Sequence, residues 1–323
     1  MRQFLNRASA LFSLGFILVL SVATVQAQGF PNKPIRMIVP TSAGATADFL
    51  ARVIAPEMSR ILGQPVVVEN KPGANQIIGL EYIAKGAPAD GYTVGVVGVD
   101  GVNLLPLTTK GLRFDPMNDL VPISGLAEGR YVLASPAGRP WKSFDGLVDY
   151  AKANPGKLNY GSSVHQVRFP VLLFTQKLGL DVVHIPFSAG AAYLTGIVGG
   201  TVDFGVVGEN SAATMGTRAL LLAVTGQKRL ASHPDVPTFA EIGVPQAKGP
   251  AYALSVRAGT PKAITDKLSA AVEATLAKQE IRTAMKNLLL DPSEDGPEMA
   301  ARKQLEQAKL FGEFAKSIGL QPQ

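Results

Sequence analysis

Small side chains and hydroxyl groups are concentrated in one short stretch near the start of the chain. Its members are Thr41, Ser42, Ala43, Gly44, Ala45 and Thr46. An apolar run over residues 35–39 predicts a buried strand before this stretch, and apolar residues recur at helical spacing after it. A strand that meets a helix through small residues leaves free backbone N–H groups beside the positive end of the helix dipole. That arrangement favours an anion.

The motifs missing from this loop narrow the choice of anion. The loop contains neither GxGxxG nor GK[ST], which are typical of nucleotide phosphate sites. A carboxylate is therefore the predicted ligand, and an ordinary strand-to-helix connection is the alternative, because such turns are common in α/β folds. Asp48 is interpreted as a structural residue that stabilises the helix N-terminus, with binding of a ligand ammonium group as the alternative.

Polar residues that suit a carboxylate recur after another predicted strand. They are Ser162, Ser163, His165, Gln166 and Arg168. His165 could donate from a ring nitrogen and Arg168 could form a bidentate pair, while a surface histidine and a solvated arginine are the alternatives. Ser162 or Ser163 with His165 would also fit a serine hydrolase. However, the GxSxG elbow is missing, and proximity in sequence does not make a catalytic triad.

Metal and cofactor chemistry is not indicated by the sequence. Its three histidines have neither HxxxH nor HExxH spacing, and there is no cysteine. The lack of cysteine excludes disulfides, thiolate zinc sites, cysteine nucleophiles and a lipid-modified cysteine. His184 is predicted to pack within a strand, and His233 is predicted to lie at the surface. We expect no metal, no cofactor and no catalytic residues.

Composition and charge describe a folded chain that does not bind nucleic acid. The chain has 323 residues, 46% of them apolar and 17% charged, which is enough for two domains with real cores. The formal charge is +6, with acids and bases interspersed. A nucleic-acid partner would require a clustered basic face.

Residues 1–27 predict a secretory signal peptide. Arg2 and Arg7 supply the positive start, an uncharged and mostly apolar stretch follows, and Val25-Gln26-Ala27 has the small-x-small form of a cleavage site. An N-terminal membrane anchor is the alternative. Cleavage near Ala27 would leave an exported protein in the periplasm.

The elements that must position these residues form two α/β units and a helical tail. Strands and helices alternate over residues 35–99 and again over residues 131–225, which predicts parallel pairing. After one more strand at 252–256, the tail is predicted to be helical over 261–276, 280–289 and 296–318. Two units of similar size suggest a cleft between lobes, which is where small ligands bind.

An ordered set of motifs then carries a resemblance to a known family. The set is KPIRMIVP (33–40), LGQPVVVENKPGAN (62–75), ADGYT (89–93), HIPF (184–187), GGTVDF (199–204), LLAVTGQKR (221–229), PDVPTFAEIGVP (234–245) and AGTP (258–261). Each motif alone is weak. Together, over essentially the whole mature chain, they resemble the Bug family, the extracytoplasmic solute receptors of tripartite tricarboxylate transporters.

The resemblance implies a two-lobed Venus-flytrap fold, with lobe 1 built from residues 28–125 and 250–323 and lobe 2 from 126–249. It implies that loop 41–48 holds one ligand carboxylate and that Asn75 and Gln76 face the same cleft. On lobe 2 it implies contacts after the strand at 158–161 and near Ala189 and Gly190. The implied partners are a small carboxylate and the membrane components of a transporter, and a monomer is expected. A receptor that presents its ligand to a membrane sensor is the alternative.

This sequence departs from the family pattern where the ligand is expected. Glycines usual in the first loop, after Pro-Gly-Ala and in the lobe 2 loop are replaced by hydroxyl, amide and larger residues. Val99, Val164 and Ala189 suggest an apolar wall for the middle of the ligand. We therefore expect a dicarboxylate with an alkyl or aromatic spacer, of the adipate or terephthalate type.

Overall fold

The computed structural model describes residues 29–322, so the predicted signal peptide lies outside the described residues. Within that range no helix combines the length and the apolar character needed to cross a membrane. The described chain folds into two α/β lobes, each built on one sheet, and this confirms the predicted fold class.

Eleven strands are present in the described part of the chain. They are β1 (Ile35–Val39), β2 (Val66–Asn70), β3 (Thr93–Gly98), β4 (Leu120–Glu128), β5 (Tyr131–Pro136), β6 (Asn159–Ser162), β7 (Val183–Pro186), β8 (Phe204–Gly208), β9 (Ala219–Val224), β10 (Ala251–Arg257) and β11 (Asp291–Pro292).

Ten α-helices accompany these strands between residues 29 and 322. They are α1 (Thr46–Leu62), α2 (Ile77–Glu81), α3 (Val99–Thr108), α4 (Phe144–Ala153), α5 (His165–Leu178), α6 (Gly190–Val198), α7 (Glu209–Met215), α8 (Lys262–Leu276), α9 (Gln279–Asn287) and α10 (Pro297–Ser317).

The two sheets define the lobes. Lobe 1 carries the sheet β11-β4-β10-β3-β1-β2, and lobe 2 carries the sheet β7-β6-β8-β5-β9. Parallel pairing, predicted from the β–α alternation, holds for β1 with β2 and β3 and for β6 with β7 and β8. Strands β10 and β5 run antiparallel to their neighbours, because each enters its sheet from the other lobe. The exact lobe boundaries stay a prediction.

Each lobe has its own apolar core. In lobe 1, strands β1 and β3 are almost wholly buried, as expected of parallel strands covered by helices on both faces. Met37, Val96 and Leu254 pack with apolar residues of α1 and α8. In lobe 2, Phe174 and Phe204 lie 5.9 Å apart between ring centroids at the centre of an aromatic cluster. Helices cover the faces of both sheets. The strand-to-helix turns at the ends of the strands are therefore the parts of each lobe that remain open to a ligand.

Two short segments cross between the lobes and lie directly against each other. Gly129, between β4 and β5, donates its N–H to Pro250 O at 2.8 Å, just before β10. A Cβ on Gly249 would lie 2.0 Å from Gly129 O, so only glycine permits this approach. Helix α10 also spans the lobes: Asn103 of α3 donates to Gln304 O, and Phe311 packs on Phe169 of α5 at 4.4 Å.

Several elements differ from the sequence predictions. The sequence predicts a strand over residues 92–99 that is closed by an Asp100-Gly101 turn, but Val99 and Asp100 open helix α3. Asp-Gly favours a turn, but Val102 and Leu105 follow at helical spacing and are buried, so packing of this apolar face keeps the segment helical. A helix is predicted over residues 170–178 from the proline suited to a first turn, but helix α5 begins earlier, at His165. Strand β4 has no counterpart in the sequence predictions.

Candidate functional site

A cavity of about 780 Å³ lies between the lobes and is lined by residues of both. The strand-to-helix turns β1–α1 and β3–α3 reach it from lobe 1, and β6–α5, β7–α6 and β8–α7 reach it from lobe 2. None of these five helices has a side-chain N-cap hydrogen bond. The first-turn N–H groups of α5 and α6 therefore remain available to a ligand, and the positive dipole ends point toward the same space. In α7 and α3 part of this capacity is already used, because Glu209 N donates to Arg130 O and the Asp100 carboxylate accepts from the backbone of its own helix turn.

The first loop is placed in this cavity. All six of its predicted residues line the wall: Thr41, Ser42, Ala43, Gly44, Ala45 and Thr46. Gly44 has a φ of +83°, which lets the loop turn back so that Ala45 donates its N–H to Ser42 O at 3.2 Å. Thr41 Oγ1 is buried and has no hydrogen-bond partner within residues 29–322.

Asp48 fixes the shape of this loop, as its predicted structural role requires. Its buried carboxylate accepts hydrogen bonds from Gly44 N at 2.9 Å, Arg52 Nε at 3.0 Å and Asn70 Nδ2 at 3.0 Å. Burial opposes ionisation, but the hydrogen bonds from Arg52, Gly44 and Asn70 together hold the pKa of Asp48 below its ordinary value. The ionised carboxylate thus ties the loop to both α1 and the end of β2.

A left-handed turn forms the second wall of lobe 1. Ala74, Asn75 and Gln76 have φ values of +45°, +52° and +76°, so three consecutive non-glycine residues adopt a conformation that L-residues avoid. Asn75 and Gln76 line the cavity, as the resemblance implied. Asn75 Oδ1 is a further buried atom without a partner in the described structure. Such strain persists only where the surrounding structure imposes it, and functional sites are its usual location.

The wall from lobe 2 contains some of the predicted residues and excludes others. Ser163, Gln166, Ala189 and Gly190 line the cavity together with Val164. These residues belong to the first turns of α5 and α6 and to the loops that lead into them. Four of the sixteen predicted ligand-contact residues do not line it: Val99, Ser162, His165 and Arg168.

The geometry of α5 explains why His165 and Arg168 lie beside the cavity. Residues three apart share one helix face, and Gln166 occupies the face that looks into the cavity. Arg168 Nε lies 3.4 Å from the OH of the buried Tyr160. Burial and the neighbouring Arg168 lower the pKa of His165 below its ordinary value. Contacts of His165 and Arg168 with a second carboxylate stay a prediction.

Ser162 forms a pair with a histidine that the sequence assigned to the core. Its buried Oγ lies 2.7 Å from His184 Nε2, and the His184 ring packs on Tyr160 at 4.9 Å. Burial, together with the neighbouring Arg168 and His165, lowers the pKa of His184 to about 4. No carboxylate among the described residues hydrogen-bonds to His184, so the geometry of a catalytic triad is not assembled around Ser162. His233 is exposed, as predicted.

Sequence reasoning missed a buried pair that joins the lobes at the base of the cavity. Tyr131 OH, from β5 of lobe 2, donates to Asp100 Oδ2 of lobe 1 at 2.5 Å. Both side chains are buried and both line the cavity. Burial raises the pKa of Asp100 to about 6, against the opposing effect of the hydrogen bond from Tyr131. The sequence feature that could have indicated this pair is Asp100 itself, an aspartate directly after a predicted buried strand. The Asp-Gly pair predicts a turn instead.

Charges in the cavity are few and mostly paired. Arg130 is the only basic residue of the described lining, and it lies 3.6 Å from Glu209 Oε2 and 3.8 Å from Asp291 Oδ2. Burial raises the pKa of Glu209, with the nearby Arg130 lowering it in part. Because Arg130 already has two carboxylate partners, an anion in this cavity must be held chiefly by backbone N–H groups, hydroxyls and amides.

One hydrogen bond closes the cavity from lobe to lobe. Asn210 Nδ2, on α7 of lobe 2, donates to Thr46 Oγ1, on α1 of lobe 1, at 2.9 Å. The two N-terminal helix turns therefore face each other across the space in which the ligand is expected. No group of three or more metal-ligating side chains is assembled in the described part of the chain.

Two α/β lobes joined by paired crossing segments, with uncapped helix N-termini of both lobes facing one cleft, define a periplasmic binding protein fold. The chain belongs to the tripartite tricarboxylate transporter receptor family, TctC, which matches residues 50–320. This confirms the resemblance that the sequence motifs carried.

Individual relatives agree with the family assignment. A UPF0065 protein from the gbd 5' region of Cupriavidus necator is 34% identical over 326 residues, covering 99% of this chain and 98% of its own. The structure of the periplasmic binding protein BugD is 27% identical, covers 91% of this chain and 100% of its own, and has a TM-score of 0.80. R. palustris Rpa4515, solved with adipate, is 27% identical over the same shares, with a TM-score of 0.82.

Proposed function

We propose that this protein captures a small carboxylate, and specifically a dicarboxylate, in the periplasm for a tripartite tricarboxylate-type transporter. Export would follow cleavage of the predicted signal peptide near Ala27. The membrane components of the transporter would be its partners, and it would carry out no catalysis.

The observation that carries this proposal is the set of uncapped helix N-termini around one cavity. Helix N-termini attract anions through free N–H groups and the helix dipole without a basic side chain. Here two such ends come from lobe 1 and three from lobe 2. A ligand with a carboxylate at each end would place one on the first loop and the other at the start of α5 and α6, near Ser163. The adipate bound to the relative Rpa4515 has this chemistry.

Two alternatives deserve a direct comparison. A serine hydrolase would use Ser162 or Ser163, but Ser162 does not line the cavity and its histidine has no described carboxylate partner. Turnover of model esters would reveal such an activity. A receptor that presents its ligand to a membrane sensor needs the same cavity, and capture of the membrane partner from solubilised membranes would distinguish it from a transport receptor.

Calorimetry with matched acids tests the proposal. The panel pairs succinate, malate, adipate and terephthalate with monocarboxylates of equal size. If each end of the ligand is held by charge-assisted hydrogen bonds worth about 1.5–3 kcal/mol, each dicarboxylate that binds should exceed its partner by roughly one to two decades in affinity. Equal binding of the two members of every pair would refute the two-ended arrangement. His165→Ala and Arg168→Ala test the predicted contacts with the second carboxylate: a loss of roughly one to two decades in affinity would support them. A change of less than about threefold would refute them and would agree with the position of both residues outside the cavity lining.

A further inference from the structure

Gln166 of lobe 2 reaches across the cavity to lobe 1. It is the second residue of α5, lines the cavity and is 8% exposed. A Cβ built on Gly101 of α3 would lie 2.4 Å from Gln166 Nε2 and 3.6 Å from Gln76 Nε2. The two amides from opposite lobes therefore occupy the space that a side chain at position 101 would need.

The Gln166 amide has an unmet hydrogen-bonding capacity. Its Oε1 is buried and has no partner within residues 29–322. Burying an amide oxygen without a hydrogen-bond partner is unfavourable, and native proteins rarely keep one without a function. Asn75 Oδ1, on the facing wall of lobe 1, is unpaired in the same way.

The cavity thus has two chemically different parts. Helix N-termini present N–H donors at its ends, whereas Gln166 and Asn75 present oxygen acceptors from opposite walls. The carboxylate of Asp100, next to Gly101, adds an acceptor that also lines the cavity. A carboxylate cannot donate to these acceptors when it is ionised, so a ligand can satisfy them only through an O–H or N–H elsewhere on its skeleton.

We propose that Gln166 is a specificity-determining residue that accepts a hydrogen bond from a hydroxyl or ammonium group on the ligand backbone. The proposal rests on the proposed dicarboxylate function and refines it: the receptor prefers a hydroxy- or amino-substituted dicarboxylate to the unsubstituted acid of the same length. It modifies the expectation of an apolar middle: Val164 and Ala189 do line the cavity and Val99 does not, while Gln166 and Asn75 add oxygen acceptors to the same space.

Calorimetry on two substitution series tests this proposal. The first series is succinate, malate and aspartate, and the second is glutarate, 2-hydroxyglutarate and glutamate. In at least one series the wild type should bind the hydroxy or the amino acid at least about tenfold more tightly than the unsubstituted acid, the equivalent of one hydrogen bond to a polar group. Comparison of the hydroxy acid with the amino acid in each series shows whether a hydroxyl or an ammonium group is the preferred donor.

Variants assign that preference to Gln166. Gln166→Met keeps the length of the side chain but removes its acceptor, so the preference should fall to less than about threefold while binding of the unsubstituted acid persists. Gly101→Ala should have the same effect by an independent route, because its Cβ would displace the Gln166 amide. Gln176→Met, an exposed position on the same helix, is the matched control and should keep the wild-type preference.

The outcomes separate this inference from the function on which it rests. Unsubstituted acids that bind wild type as tightly as their substituted partners would overturn the role of Gln166 and leave the dicarboxylate proposal intact. A wild-type preference that survives in both Gln166→Met and Gly101→Ala, each with a normal melting transition, would also overturn it. A protein that binds no dicarboxylate, substituted or not, would refute the proposed function itself.

Discussion

At the scale of single residues, the left-handed turn of lobe 1 makes a clear prediction about stability. Ala74 is exposed and has a φ of +45°, which costs an alanine about 1–2 kcal/mol and costs glycine almost nothing. Glycine loses part of this advantage through the greater entropy of its unfolded chain. Ala74→Gly should therefore raise the melting temperature by about 1–3 °C. The control is Ala137→Gly, also exposed but with negative φ, which should lower the melting temperature.

Asp100 gives a prediction about pH. Its folded-state pKa is about 6, above the ordinary value, so between about pH 4 and pH 6 the folded protein binds more protons than the unfolded chain. Its contribution to stability is therefore fully present below about pH 4 and is lost as pH rises through 6. Denaturant unfolding at pH 4–8 should show the stability of wild type falling relative to Asp100→Asn by about 1–3 kcal/mol.

Asp48→Asn is the flat control for that experiment. Because the pKa of Asp48 is lowered in the folded state, its contribution is present above the ordinary value and is lost only as pH falls through the folded pKa, so its difference curve should stay nearly flat from pH 4 to 8. The unfolding free energy of each variant must be compared with that of wild type at every pH, because the lowered pKa values of His165 and His184 also make stability depend on pH. A difference curve for Asp100→Asn that stays flat from pH 4 to 8 would contradict the assignment.

The residues that sequence could identify are those whose role is local. The first loop was predicted because a strand, six small residues and a helix follow one another in the chain, and all six line the cavity. Gln166 was also predicted, but its reach to Gly101 depends on how the lobes face each other. The partnership of Asp100 with Tyr131 joins residues 31 positions apart on different lobes, and no local pattern encodes it.

At the scale of elements, α1 depends on a carboxylate placed inside its first turn. Asp48 connects Gly44, Arg52 and Asn70, so it holds the loop, the helix and the end of β2 in one arrangement. Asp48→Asn leaves one of these donors without an acceptor. We expect it to cost about 1–3 kcal/mol of unfolding free energy. Dicarboxylate affinity should fall as well, because the loop N–H groups lose their orientation.

Calorimetry and denaturant unfolding measure both effects of Asp48→Asn. The control is Asp266→Asn, which breaks an exposed i,i+4 pair with Lys262 and should cost less than about 0.5 kcal/mol with no change in affinity. Unchanged binding by a destabilised Asp48→Asn protein would show that the loop does not depend on this carboxylate.

Element boundaries were predictable where local periodicity and turn chemistry agreed, as at α10, predicted over 296–318 and observed over Pro297–Ser317. They failed at α3, where an Asp-Gly pair indicated a turn but buried apolar spacing continued beyond it. They also failed at β5 and β10, whose antiparallel direction is set by crossing between lobes. A pattern within one segment carries no information about which sheet that segment joins.

At the scale of the whole molecule, the architecture favours a change in the distance between lobes. The crossing segments meet at Gly129, Gly249 and Pro250, where the tight approach of two backbones forms a narrow connection. Tyr131 to Asp100 and Asn210 to Thr46 are hydrogen bonds between lobes on the cavity side of that connection. Motion at the crossing segments must therefore break or form these contacts, and a ligand that touches both lobes would favour their formation.

Hinge closure is the prediction that follows, and small-angle X-ray scattering measures it. Saturating dicarboxylate should reduce the radius of gyration of the wild type, because one ligand can satisfy helix N-termini of both lobes only when they approach.

Asn210→Ala removes a cross-cavity hydrogen bond worth about 0.5–1.5 kcal/mol, which shifts an open–closed equilibrium by roughly two- to tenfold. Without ligand, this variant should be more expanded than wild type, and with ligand it should reach the same compact state at a higher ligand concentration. Asn154→Ala, which removes a hydrogen bond to Tyr150 within lobe 2, should scatter like wild type in both conditions. Identical scattering of wild type with and without a dicarboxylate shown by calorimetry to be bound would mean that the lobes do not move on binding.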